Sequence, residues 1–146
     1  MTVLLNLIGS IKTSTVLEDA FLVVGTMAGA LETKFAPYIQ AFLPQLIPAL
    51  KAHEDVQLCT VAVGVIGDIS RALGEQSAQY SATFMQVLFQ SLQSATCPRN
   101  VKIPIVSCFG DIALAIGPGF EPYLEHTMVV LREAGSIPVN PVSMVF

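Results

Sequence analysis

The strongest constraint in this sequence is a gap-free internal repeat. Gly25-Thr-Met-Ala-Gly-Ala-Leu31, Gly67-Asp-Ile-Ser-Arg-Ala-Leu73 and Gly110-Asp-Ile-Ala-Leu-Ala-Ile116 align in one register. Each glycine is followed two residues later by Met or Ile, five later by Ala and six later by Leu or Ile. Thirteen residues after each glycine stands a tyrosine: Tyr38, Tyr80 and Tyr123. Glycines and tyrosines alike are spaced 42 and 43 residues apart. Five matched columns in three copies are hard to obtain by chance. A helical period of about 40–47 residues is the signature of HEAT or armadillo arrays. In such arrays each unit buries its apolar face only by stacking on its neighbours.

The helices follow from the period. Residues 35–51 read as a first, A-type helix, with Ile39, Phe42, Leu43, Leu46, Ile47 and Leu50 at three- and four-residue spacing. Pro37 suits its first turn, while Pro44 and Pro48 should bend it. Residues 56–73 read as the paired B helix, apolar almost all round and hence buried between neighbours. Gly74 follows where a terminating glycine belongs. The cycle recurs as A helices at 77–93 and 120–134, a B helix at 101–116, and upstream a B helix at 16–31 with an A remnant at 1–11. The expected class is all-α, an α-solenoid of HEAT repeats over residues 1–134. Its approximate repeats are 1–31, 35–73, 77–116 and a partial 120–134, with an irregular tail over 135–146.

Composition narrows the function. Hydrophobic residues make up 53% and charged residues 12%, far too apolar for disorder. The longest strongly apolar runs, 20–31 and 58–67, fall short of the 18 or more consecutive residues expected of a membrane span. The apolar start lacks a preceding basic residue and a small-residue cleavage pattern, which argues against a signal peptide. A net charge of −4 argues against nucleic acid, which needs a basic face, and is compatible with basic protein partners. Cys59, Cys97 and Cys108 read as reduced, intracellular thiols. They form no CxxC and have no His partner, so no metal or cofactor is expected. His53 and His126 are isolated, Gly64-Val-Ile-Gly67 lies inside a helix and cradles no phosphate, and nothing suggests an enzyme.

Several residues are open to two readings. Asp68 and Asp111 share one column inside apolar helices. Each either bonds a neighbouring backbone, because a buried charge must be satisfied, or forms an acidic rung for a basic partner, limited by Arg71 nearby. Glu18, Asp19, Glu54 and Asp55 stand at B-helix starts, where they can cap or meet Lys and Arg of a partner. On the A helices the columns Leu43/Met85/Met128 and Leu46/Leu88/Leu131 stay apolar and read as core. The columns Phe42/Phe84/Thr127 and Ile47/Phe89/Arg132 do not, which suggests flank positions. Phe42, Ile47, Phe84 and Phe89 either pack between repeats or line outer grooves able to take a Phe side chain.

The wording of the helices also carries a resemblance. The segment 62–73, AVGVIGDISRAL, and the segment 107–117, SCFGDIALAIG, resemble consecutive B helices of the importin β (karyopherin-β) family of nuclear transport receptors. Phe35-Ala-Pro-Tyr-Ile-Gln-Ala-Phe-Leu-Pro44 and Tyr123-Leu-Glu125 resemble the A helices beside them. The resemblance covers roughly residues 16–134 and is similar to repeats in the C-terminal third of that family's superhelix. It implies a protein-binding segment shuttling between cytoplasm and nucleus through the pore. It implies importin α or cargo basic segments on the inner B face and Phe-Gly nucleoporins on the outside. Ran GTPase would be a partner of the full-length receptor, through amino-terminal repeats that this sequence does not contain. The alternative is a generic HEAT scaffold of the phosphatase-scaffold or coat-adaptor type. The chain opens within a repeat and lacks a helical pattern past Gly135, so it is expected to hold only part of such an array.

Overall fold

The computed structural model describes residues 2–136. Seven α-helices follow one another: α1 (Thr2–Ser10), α2 (Ser14–Leu31), α3 (Ala36–Lys51), α4 (Val56–Leu73), α5 (Ala78–Gln93), α6 (Arg99–Ile116) and α7 (Glu121–Ser136). Short 3₁₀ turns, Glu32–Phe35, Gly74–Ser77 and Gly117–Phe120, join each even-numbered helix to the next odd one. The arrangement is an α-solenoid in two layers. Helices α2, α4 and α6 stack directly on one another, while α1, α3 and α5 form the second layer against them. Tyr123 on α7 shares a hydrogen bond of 3.4 Å with Ser81 on α5, which extends the outer layer.

The inner layer carries the core, as its all-round apolarity predicts. Ala62, Val63, Val65, Ile66 and Ile69 of α4 are sealed, and Val101, Ile105, Cys108, Phe109 and Ile112 of α6 likewise. From the outer layer Ile39, Phe42, Leu46, Phe84 and Leu88 point inward. The rings of Phe21 and Phe42 meet edge to face at 5.2 Å, joining α2 to α3. Truncating one of these buried aromatics to Ala costs about 3–5 kcal/mol in a well-packed core.

Helix ends correct the sequence reading in two places. Helix α2 starts at Ser14, so Glu18 and Asp19 lie a turn inside it and do not cap it. Helix α7 runs through Gly135 to Ser136, so that glycine does not stop it. Helix α3 runs unbroken through Pro44 and Pro48. Both prolines are exposed, four residues apart on one side. The carbonyls of Gln40 and Pro44, which lose their helical donors to them, therefore also belong to exposed residues. The remainder of the predicted tail, residues 137–146, lies outside the described residues.

Three helical stretches, Ser14–Lys51, Val56–Gln93 and Arg99–Glu133, are long and apolar enough to cross a membrane by length and composition alone. This corrects the expectation from consecutive apolar runs, which a single polar residue such as Asp68 interrupts. Each stretch is two helices joined by a 3₁₀ turn, and only part of its most apolar window, 28%, 56% and 33% in chain order, is buried.

The turns share one backbone conformation. Gly74 and Gly117 adopt φ +54° and +53°, with ψ −131° and −125°, a region that L-residues with a Cβ strongly avoid. Glu32 holds the same place one period earlier, at φ 50° and ψ −130°. Its side chain is exposed, so the stack imposes this strain and receives no packing in return. We expect Glu32→Gly to raise stability by roughly 0.5–1 kcal/mol, the strain relieved exceeding the extra chain entropy of glycine. A urea midpoint shifted upward at unchanged slope is the expected result; a lower midpoint would contradict the strain.

Candidate partner-binding surfaces

On the inner layer, Asp68, Arg71 and Asp111 form one ionic group. Arg71 donates to Asp68 at 2.5 Å and to Asp111 at 2.7 Å. The first pair lies within α4; the second ties α4 to α6. The hydrogen bond to Asp111 is the main reason the Arg71 guanidinium binds its proton more tightly than usual. These side chains are 53%, 41% and 28% exposed for Arg71, Asp68 and Asp111. Such solvated pairs contribute no more than about 1 kcal/mol each. The expectation that each carboxylate bonds a neighbouring backbone is thus corrected: an arginine bridges both. Beside the group opens a cavity of about 510 Å³, lined among others by Gly25, Glu32, Thr33, Asp68, Arg71 and Gly74.

The group also explains the glycine column. A Cβ placed on Gly25 would lie 2.5 Å from Asp68 Oδ2, and one on Gly67 would lie 2.7 Å from Asp111 Oδ2. Each glycine is therefore the seat of the next repeat's carboxylate. Glycine weakens a helix by about 1 kcal/mol relative to Ala, and here it lets the inner helices approach.

Asp55 caps α4: the Leu58 N–H donates to Oδ1 at 3.1 Å. Its Oδ2 accepts the Ser14 hydroxyl at the start of α2, 41 residues away. That hydroxyl first, and the Leu58 amide second, hold the Asp55 carboxyl below the usual carboxylate range. Asp19 and Glu54 are exposed, and Glu18 accepts from Ser14 at 3.3 Å. His53 is not isolated. Its ring nitrogens meet Thr96 Oγ1 at 3.0 Å and Ser91 Oγ at 3.4 Å, which ties successive A–B loops together.

The proposed aromatic flank divides in two. Phe42 and Phe84 are sealed at 0% and 1% exposure and offer no ring to a ligand. The argument from column chemistry fails because Thr127, in the same column, is itself buried. Its hydroxyl is satisfied by the Tyr123 carbonyl at 2.7 Å, so Thr behaves there as a core residue. Ile47 and Phe89 are half-buried. Phe89 packs 4.9 Å from Phe109 and edge-on to His126 at 4.3 Å. Met128 and Leu131, read as core, are exposed on α7, where no described helix covers them. Sequence reasoning missed a further groove of about 710 Å³ between α6 and α7, lined by Lys102, Ile103, Val106, Val129 and Val130 among others.

The cysteines are free and buried. The Cys59 and Cys108 thiols donate to the carbonyls of Leu50 and Val63. Burial pushes them up to about 11 and about 12, so they stay protonated and unreactive. Among the described residues no three His, Cys, Asp or Glu side chains come together to hold a metal ion.

The sequence profile of a family described as importin subunit beta-1-like, TPR repeats, matches residues 1–145. The chain belongs to the importin subunit beta-1 family. It is 48% identical over 130 residues to importin subunit beta-1 of Schizosaccharomyces pombe, covering 89% of this chain and 15% of that protein. It is 40% identical over 126 residues to the Arabidopsis thaliana protein, covering 86% of this chain and 14% of the relative. The chain thus spans about one seventh of the curated relatives it matches. A crystal structure of importin beta superposes with a TM-score of 0.89 at 40% identity, covering 96% of this chain and 16% of that one. The Kap95:Nup1 complex superposes with a TM-score of 0.85 at 31% identity, over 94% of this chain and 16% of Kap95. Kap95p bound to RanGDP gives 0.82 at 34% identity, over 93% and 16%. HEAT-type solenoid and family agree with the period of 42 and 43 residues.

Asp55 makes one testable link between repeats. Its folded pKa is depressed, so its contribution is present above the unfolded value of about 3.8 and is lost as pH falls through the folded value. Asp55→Ala should cost about 1 kcal/mol at neutral pH. The gap to the parent chain should close below about pH 3.8. Urea titrations at pH 7 and pH 3 check this; a gap that persists unchanged in acid would contradict it.

Proposed function

We propose that this chain is a partner-binding segment of an importin-β-type nuclear import receptor, working between cytoplasm and nucleus at the pore. The observation that carries the reading is the superposition on Kap95 in its Nup1 complex over nearly the whole chain. Two surfaces suit two chemistries. The half-buried Ile47 and Phe89 sit on outer helices, where an apolar ring from a Phe-Gly nucleoporin can pack at their flanks. On the inner layer, Asp68, Asp111 and Glu32 outnumber Arg71, which leaves net negative charge for a basic segment of importin α or cargo. Asp19, exposed on α2, and Asp55, partly exposed at the start of α4, extend that negative character towards the helix starts. A Ran GTPase partner belongs, in this reading, to the rest of the receptor.

Arg71 occupies the carboxylates that a basic partner would use. Arg71→Gln should therefore tighten binding of a basic peptide roughly three- to tenfold at low salt, and Asp111→Asn should weaken it by a similar factor. Phe89→Ala should weaken a Phe-Gly peptide at least roughly fivefold with helicity retained. Fluorescence anisotropy with labelled peptides reads both. Affinities that ignore all three substitutions would remove these surfaces from the proposal.

A further inference from the structure

We propose that the outer face of α3 and α5 holds an extended, uncharged chain by main-chain hydrogen bonds, with the carbonyls of Gln40 and Pro44 as acceptors. Pro44 and Pro48 stand inside α3. Each removes a helical N–H, and both are exposed, so neither ring gains core packing in return. The Gln40 and Pro44 carbonyls are left without helical donors, on residues that are themselves exposed. Carbonyls on the solvent side of a helix tilt outwards. The two prolines thus open a pair of main-chain acceptors to a donor from outside the helix.

Spacing selects the donor. Carbonyls four residues apart on a helix are separated by about 6 Å along its axis. N–H groups on one edge of an extended chain recur every second residue, at about 6.4–6.8 Å. An extended segment lying along α3 therefore meets both acceptors in register. Helix α5 is the neighbour, joined to α3 where the Tyr80 hydroxyl donates to the Ala36 carbonyl at 3.5 Å. On it Gln86 and Gln90 hold the places of Pro44 and Pro48, 42 residues on, and are exposed. Their amides can both donate to and accept from a main chain. Charge selects as well. Helix α5 has no charged residue and α3 has only Lys51 at its end, unlike the carboxylates of the inner layer. The fitting occupant is the Phe-Gly chain, an assignment that rests on the reading that the outer helices receive a Phe-Gly nucleoporin. Its rings would pack at the half-buried Ile47, next to Pro48, while its uncharged main chain donates to α3.

The test sets stability against affinity. Pro44→Ala together with Pro48→Ala restores both N–H groups and closes both helical bonds. The urea midpoint of the full chain should rise, while its affinity for a labelled Phe-Gly repeat peptide, read by fluorescence anisotropy, should fall roughly five- to thirtyfold. A raised midpoint with unchanged affinity would overturn the proposal, because a merely structural role moves stability alone. Exchanging backbone amides of the peptide for esters, one at a time, should weaken binding to the parent chain at two alternate residues and leave binding to the double variant unchanged. Equal sensitivity in the two chains would also overturn it. Phe89→Ala separates the two levels. Weaker binding on Phe89→Ala with none lost on the proline pair rejects the main-chain contacts alone. Indifference to Phe89→Ala as well removes the outer-surface reading with them.

Discussion

The stack depends on how closely its inner helices approach. Gly25 seats the Asp68 carboxylate and Gly67 seats that of Asp111, and Arg71 gathers both carboxylates into one group. A side chain at either glycine would push the next helix away or displace its carboxylate. Around this contact the rest of the inner layer closes: Val63, Ile66, Val101 and Cys108 seal only because α4 and α6 lie this close. The Coulombic worth of the group is small because it is half in water. Its larger effect is geometric, setting the rise from one repeat to the next.

Periodicity carries costs as well as contacts. The 3₁₀ turns need a positive φ, which Gly74 and Gly117 adopt freely and Glu32 adopts under strain. That Glu32 nevertheless conforms indicates that stacking energy between neighbours exceeds the local penalty, as expected where each repeat is stabilised mainly by its interfaces. Links at the opposite edge work in the same direction. The Ser14–Asp55 bond and the His53 contacts to Ser91 and Thr96 join residues about one period apart. The edges are thus pinned by polar bonds and the middle by apolar packing.

For binding, the division of labour between layers matters. The inner layer presents carboxylates partly masked by their own arginine, so under the proposed function any binding of a basic chain there would be sensitive to salt and to Arg71. The outer layer withholds most of its aromatic rings in the core and leaves Phe89 and Ile47 half-buried at the flank. Partner recognition of the kind named for Kap95 with Nup1 would then draw on few exposed atoms per repeat, and on many repeats together.

The sequence by itself determined the class and, among the described residues, the number of helices and nearly all their limits. Its columns at 42- and 43-residue spacing repeat a helical hairpin whose apolar faces fit only a stack. It also marked Gly74 as a helix terminator and Glu54 and Asp55 as candidate caps, of which Asp55 takes the role, because those roles depend on local backbone geometry. Only the tertiary structure decided what each column faces. Phe42 and Phe84 looked like flank positions because Thr127 shares their column, yet a Thr whose hydroxyl bonds its own helix is at home in a core. The glycine column was visible from the start, but its reason was not. A carboxylate from the next repeat, about one period away in the chain, sits on each seated glycine, and such a contact exists only once the helices are side by side.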